Sequence, residues 1–571
     1  MKKILTFFVL LIFLFSLIGC TEQTRTQITS VTTDGETTTT VSTTIGNTTT
    51  TTVSTTTQTT TEEWFYMTKD IEFINYSEEF VREDPIDTLT FYYYPYKEGI
   101  PFVDIEEFVR LLLGIIDENV QVEVLANQVS VYIESCDTEV ESMDLCPVDD
   151  YWREYVTFDF DNTVVTAPSI DSFDYFTGNT ETDFSLGLTL SSYEEEELPA
   201  FSADLSDYNF RFSILEIEGE TFYTIPLSIA NLFLTGSMFD VINNGDYLYG
   251  VDTYQIGDIR TSLTDPVRYN NDLTSDMRKE SEKFLIFVFN TFYGLKDYKN
   301  ISDFDDIINF TKTDSFEEQL WQFSLSLLDG HTAIISTGHT ASYYNPGSLI
   351  EYTAYYNKFY KDYYGGCECD ILPDEYFEVD FYEDLAYFRF NSFTENFRLD
   401  IEPYMNQIIA AAPSKIVIDL ACNGGGVLAG VFQMLNYMTN DDLSFYTISD
   451  GARSSYTYEV EGDYAIDADF YIVTSSATYS AANYFTALAQ ELGLAKVIGA
   501  RSGGGACSIK AIVLPNGAVM VMSSPMNLTY STYETVELGV PLDQFYRLSN
   551  LTTYLTPEDF YGIIESMNTV G

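Results

Sequence analysis

Two β-branched runs, each ending in a loop of small residues, constrain this chain more than any other feature. The first, at 415–420, leads into Asp-Leu-Ala-Cys-Asn-Gly-Gly-Gly at 419–426. The second, at 469–473, leads into Thr-Ser-Ser-Ala-Thr-Tyr-Ser-Ala-Ala-Asn-Tyr-Phe at 474–485 and then into a helical stretch. From 385–393, an alternating strand, to Gly499 the order is strand, helix, strand, helix, strand, helix, strand. Such alternation predicts an α/β fold with a parallel sheet, right-handed crossovers and a crevice at the carboxyl ends of the strands. Both small-residue loops fall at those ends.

A chain of 571 residues exceeds what one hydrophobic core usually serves, so more than one folded unit is expected. Lys2 and Lys3 precede an apolar stretch at 4–17, short for a bilayer span and suited to a signal-peptide core. It closes on Leu17-Ile18-Gly19-Cys20. That ending resembles the lipobox of bacterial lipoproteins, which implies a signal peptide over 1–20, lipid on Cys20 and a protein tethered at the extracellular face of the membrane. Residues 21–62 are dominated by threonine and hold too little apolar surface to offset the entropy of ordering, so a disordered linker is expected there. The formal net charge of −61 argues against binding nucleic acid, which needs clustered Lys and Arg.

Over 63–260, β-rich runs alternate with short helices, and a separate α+β N-terminal domain is expected. Asp104 is a candidate N-cap for an amphipathic helix at 105–113, and Ile225-Pro226-Leu227-Ser228 leads into 229–234 in a similar way. Residues 120–133 and 155–165 read as strands, the latter with the turn signal Asp161-Asn162. Residues 270–335 turn helical, at 281–292 and 316–328, before Asp329-Gly330-His331-Thr332. Pro515-Asn516-Gly517 marks a hairpin between 511–514 and 518–522. Of the seven cysteines, Cys136 and Cys146 flank a short acidic loop and are candidates to pair. Cys367 and Cys369 are too close in sequence for an easy mutual bond, and Cys422 with Cys507 forms a second candidate bridge.

A serine hydroxyl at the mouth of a helix is usually only a cap; it becomes a nucleophile when a neighbouring base removes its proton. Ser480 stands at such a position. The chain has two histidines, His331 and His339, and His331 sits just past a helix end. A third group normally fixes the base's tautomer, and Glu537 and Glu534 are the candidates in the segment after the hairpin. The triple glycine permits close approach of backbone N–H donors to an oxyanion; Gly425 N–H with Ala481 N–H is the expected pair.

At these residues the chain resembles the C-terminal processing peptidases, the serine peptidase family that includes the tail-specific proteases and the core of tricorn. The loop at 419–426 and the segment at 477–485 are similar to the family's oxyanion and nucleophile motifs, Val497-Ile498-Gly499 to the strand that follows, Leu-Leu-Asp-Gly-His-Thr-Ala-Ile at 327–334 to the histidine motif of members without the bacterial lysine, and Val-Glu-Leu-Gly-Val-Pro-Leu-Asp at 536–543 to the closing motif. The resemblance spans about 275–550. It departs in four places: Ser502-Gly503-Gly504-Gly505-Ala506 stands where tail-specific proteases carry a catalytic lysine, Asn483 where the family often has glutamate, the closing motif is one residue short and reads Pro541-Leu542-Asp543, and the interval from His331 to Leu385 is too short for a PDZ domain. The tricorn-like arrangement of Ser480, His331 and Glu537 is therefore the better match.

The resemblance implies a ClpP/crotonase-like parallel β-α core with a helical N-terminal cap, in a peptidase domain over 270–571. It implies a serine endopeptidase that acts on proteins or peptides through an acyl-enzyme on Ser480, with no cofactor. The alternative is a surface lipoprotein that binds peptides or ligands on the same fold without cleaving them.

Overall fold

The alternating pattern folds into a six-stranded sheet whose spatial order follows chain order: Phe377–Tyr382, Leu385–Phe390, Lys415–Asp419, Asp469–Thr474, Ala495–Gly499 and Gln544–Phe545. This computed structural model describes residues 66–136, 151–252, 273–336, 376–545 and 555–570, less 78, 81–85, 179, 181, 237–238, 312–314, 461 and 463, and the backbone of 25–33, 36–44 and 53–55. The first two strands of the sheet run antiparallel and the rest parallel. Phe388, Ile418, Ile472 and Val497 stand in register across it, on the face covered by the helices Phe397–Ala411, Leu428–Leu435 and Ala481–Glu491. On the other face Tyr387, Val417 and Tyr471 meet Phe560 and Ile564 of the helix Pro557–Val570. Covering on both faces buries every residue of Leu385–Phe390, where alternation suggested one solvated side.

One element departs from the expected order. Between Leu428–Leu435 and Asp469–Thr474 the chain makes the antiparallel hairpin Leu443–Ser449 and Ala452–Val460. Its turn, Asp450-Gly451, has φ of 44° and 83°, the pair of positive values that a two-residue hairpin turn demands. The hairpin leaves the core sheet and joins a second one, in the order Leu188–Glu195, Ala452–Val460, Leu443–Ser449, Val519–Thr529, Ala333–Ser336. Cys507–Val513 also pairs with Val519–Thr529, around the expected Pro515-Asn516-Gly517 turn.

The 63–260 range holds a seven-stranded and a five-stranded sheet. In the first, Phe102–Asp104 and Glu220–Pro226 are antiparallel neighbours, each leading into a helix, Ile105–Leu111 and Leu227–Leu234. Asp104 caps the first, accepting the Glu107 N–H at 3.1 Å. Apolar contact continues from this range into the next. One buried cluster includes Phe173, Phe210 and Phe233 together with Phe284, Phe287 and Phe289 of the helix Ser275–Phe292 and Ile512, Met520 and Met522 of the hairpin. The buried ion pair of Lys97 and Glu280 crosses the same joint, with Lys97 Nζ also donating to Asn209 O at 2.7 Å. Within the threonine-rich segment the backbone of Arg25–Thr33, Glu36–Thr44 and Val53–Thr55 is extended and paired, a conformation that β-branched residues favour. Cys20 and the signal segment lie outside the described residues, as do His339, Cys146, Cys367 and Cys369.

Candidate active site

Asp419, Thr474 and Gly499 end neighbouring parallel strands at one edge of the core sheet, and the loops that follow them interlock. Asp419 shapes the first loop: its Oδ1 accepts the Ala421 N–H at 2.9 Å and its Oδ2 the Tyr387 hydroxyl at 2.7 Å. Burial pushes this carboxyl's pKa up, and the Arg389 guanidinium opposes the push. The second loop then clasps the first through side chains. Thr478 Oγ1 donates to Leu420 O at 2.6 Å, Ser475 Oγ donates to Ala421 O, and Tyr479 N–H donates to Asn423 O at 3.0 Å. The third loop closes the set, with Gly503 N–H donating to Thr478 O at 2.8 Å and Ser480 N–H to Gly504 O at 2.9 Å.

That clasp holds Ser480 at φ 54° and ψ −125°, immediately before the helix Ala481–Glu491. Such a conformation is strained for a non-glycine residue and persists only where its surroundings enforce it; a serine forced into a sharp strand-to-helix turn is a recurring way to expose a nucleophile. Gly425, at φ 112°, lies directly against it: a Cβ there would stand 2.7 Å from Ser480 Cβ and 3.0 Å from Ala481 N. The two amides expected to face an oxyanion thus flank Ser480, but they are differently engaged. Ala481, first in its helix, has no intrahelical acceptor for its N–H. Gly425 N–H donates to Asn423 Oδ1 at 2.9 Å.

His331 arrives from the second sheet. It precedes the strand Ala333–Ser336, whose pairing with Val519–Thr529 fixes its place. Asp329 braces the turn, accepting His331 N–H at 3.0 Å and the Thr332 hydroxyl at 2.7 Å. The imidazole is buried edge-on against the ring of Tyr479, centroids 4.9 Å apart, one residue before Ser480. Among the described residues no hydrogen bond joins His331 to Ser480, and Nδ1 of His331 is buried without a partner. Burial lowers the imidazole's pKa, against the pull of the Asp329 charge, and keeps the ring neutral.

Glu537 and Glu534 separate cleanly. Glu534 is exposed. Glu537 is largely buried, its Oε2 accepting Ala506 N–H at 2.7 Å. Its carboxyl is pushed up to about 7, first by burial and further by the Asp329 charge, against the Ala506 N–H and the Lys299 ammonium. No hydrogen bond joins Glu537 to His331 among the described residues. Tyr293 shares this setting: burial first, then Asp329, and further Cys507 and Glu537 disfavour ionisation of its hydroxyl. Cys507 is a free, buried thiol, so the candidate bridge to Cys422 does not form; Cys507 Sγ faces Asn527 Oδ1 at 3.0 Å instead. Cys136 and Cys422 are each disulfide-bonded, to partners outside the described residues.

Sequence reasoning passed over Ser475, Thr478, Asn423 and Asp329. All four stand inside the motifs that drew attention to their neighbours, but a hydroxyl that latches one loop to another leaves no periodic trace.

Comparison with known proteins bears on the same stretch. Residues 384–544 match the family model described as Peptidase family S41. A carboxyl-terminal-processing protease of a Picosynechococcus species is 26% identical over 163 residues, 28% of this chain and 39% of the relative's length. Among solved structures, a protein of Parabacteroides merdae described as a peptidase is 18% identical over 51% of this chain and 96% of its own, with a TM-score of 0.37. A lipoprotein from Streptococcus agalactiae has corresponding values of 12%, 51%, 96% and 0.32. The photosystem II D1 C-terminal processing protease has 18%, 28%, 42% and 0.26. Residues 384–544 thus carry the sequence pattern of peptidase family S41, and the likeness to a carboxyl-terminal-processing protease, a serine-type hydrolase, rests on that stretch.

Proposed function

We propose that this protein is a serine endopeptidase in which Ser480 attacks the scissile carbonyl of a protein or peptide, His331 takes the hydroxyl proton and returns it to the leaving amine, and water then releases the acyl product. The observation that carries this reading is the packing of the His331 ring on Tyr479, which brings segments 149 positions apart to the strained Ser480 turn. Ala481 N–H, at the positive end of a helix, is a ready donor to the developing oxyanion. Gly425 N–H becomes the second donor once it releases Asn423 Oδ1. Glu537 is the acid that orients His331 at Nδ1, through a small closure of the His331 turn onto it. The two rings and the clasped loops exclude bulk water from the proton path.

The test is hydrolysis of an unstructured protein substrate by the wild type and by Ser480→Ala. The serine variant should lose on the order of 10⁶-fold in kcat with its melting temperature unchanged. Undiminished cleavage by that variant would refute the mechanism. We further propose that the chain is held at the extracellular face of a bacterial membrane through lipid on Cys20. Cys20→Ala should move the protein from the membrane fraction to the medium and abolish incorporation of a labelled fatty acid.

A further inference from the structure

Glu537 needs a fixed place to act; its carboxylate accepts Ala506 N–H and its own N–H donates to Thr535 Oγ1 at 3.1 Å. Two buried side chains outside the Ser480, His331 and Glu537 set add longer-range ties. Asn483, on the helix that follows Ser480, is wholly buried; its Nδ2 donates to Val536 O at 3.1 Å and its Oδ1 accepts the Ser502 hydroxyl at 2.7 Å. Ser502 Oγ in turn accepts the Val540 N–H at 2.7 Å. One side-chain pair therefore ties the backbone on both sides of Glu537 to the nucleophile helix. The backbones meet with no slack: a Cβ on Gly504 would stand 1.9 Å from Glu537 O, and one on Gly539 would stand 2.2 Å from Ser502 O.

We propose that Asn483 and Ser502 are positioning residues that register Glu537 against the Ser480 helix. This rests on the serine peptidase reading above and adds the device that links its nucleophile to its acid. The chemistry of the pair admits little substitution. Ser502 has one proton, given to Asn483 Oδ1, and its lone pair takes Val540 N–H. Asn483 must then be acceptor and donor at once, which an amide is and a carboxylate is not. A carboxylate in place of the amide would turn an acceptor toward Val536 O and bury an unpaired charge beside the segment that bears Glu537. An amide at 483 leaves that segment with one acid to keep in place.

An aspartate substitution at 483 has a signature of its own. A carboxylate at 483 lacks the donor, but a protonated carboxyl regains it, donating to Val536 O while its carbonyl accepts from Ser502. The other carboxylates and cations on the packed segments are Glu491 of the nucleophile helix, which accepts from Ser531; Glu534, Glu537 and Asp543 of the closing stretch; and Arg501, whose guanidinium donates to Gly539 O. Relative to wild type at each pH, the kcat of Asn483→Asp should rise about tenfold as pH falls from 8 to 6. Asn483→Leu, which has no donor at any pH, should lose about tenfold in kcat with KM within about twofold of wild type and a ratio that does not vary with pH. A wild-type kcat in Asn483→Leu, or a pH-independent ratio in Asn483→Asp, overturns the proposal. If the leucine variant does not fold, the aspartate ratio decides alone. Ser480→Ala is run beside them: undiminished turnover there defeats the serine mechanism itself, whereas an inactive Ser480→Ala with wild-type behaviour at 483 defeats only the positioning role.

Discussion

The nucleophile side of the site and the base side are built on different terms. Around Ser480 the loops are saturated with hydrogen bonds: Thr478 and Ser475 latch the glycine loop, Tyr479 and Ser480 donate to neighbouring carbonyls, and a strained backbone is held in place. Around His331 the polar atoms are buried and open. Nδ1 of the imidazole has no partner among the described residues, and Glu537 carries a carboxyl shifted to about 7. Open valences in a low-dielectric setting are costly, so such a group gains most from any small movement that completes it. The serine half is thus preorganised, and the histidine half is where closure brings its gain.

Five substitutions sharpen or break that contrast, in descending order of effect. His331→Ala should abolish turnover by about 10⁶-fold in steady-state kinetics while circular dichroism stays that of the wild type, because Asp329 still braces the turn through Thr332. Glu537→Gln should cost on the order of 10³ to 10⁴ in kcat and change the pH profile. The wild-type kcat/KM should climb with pH through about 7 as Glu537 ionises, since burial already lowers the pKa of His331 and moves its own limb below that. In the glutamine variant the limb near 7 should vanish; a limb that persists there assigns it to another group. The raised pKa also carries a stability consequence of definite sign. The native carboxyl holds its proton more tightly than the unfolded one, so its contribution is complete below the unfolded value of about 4.3 and is lost as pH rises toward 7. Thermal melts at pH 8 should therefore show Glu537→Gln more stable than wild type.

Smaller effects probe the rigid half. Gly425→Ala forces a side chain into φ 112° and onto Ser480 Cβ, and should lower kcat by about 10² to 10³ with KM little changed. Thr478→Val keeps the shape but strands Leu420 O without its donor, which should cost about 1–2 kcal/mol in a denaturant titration. Glu534→Gln, at an exposed position, should change neither kcat nor the pH profile; an effect equal to that of Glu537→Gln would reverse the assignment of the orienting acid.

Much of the fold was legible along the chain. The parallel strands at 415–419, 469–474 and 495–499 declare themselves as β-branched runs followed by turn residues, and Asp104 and Pro515-Asn516-Gly517 announce a cap and a hairpin by chemistry that is local. The hairpin at 443–460 escaped, although Asp450-Gly451 signals its turn, because a helix-and-strand rhythm hid it. That Leu188–Glu195 edges a sheet made mostly of residues beyond 440 had no local sign at all.

The sequence by itself determined which elements form and where a serine, a histidine and a glycine loop sit along the chain, since periodicity, capping and turn preference act over a few residues. Tertiary structure alone decided which acid is buried, which amide is free, and which cysteine pairs. Those outcomes depend on burial and on the reach of side chains across three loops, Glu537 with Ala506, Gly425 with Asn423, and Asn483 with Val536, and distance in space is what neither period nor motif encodes.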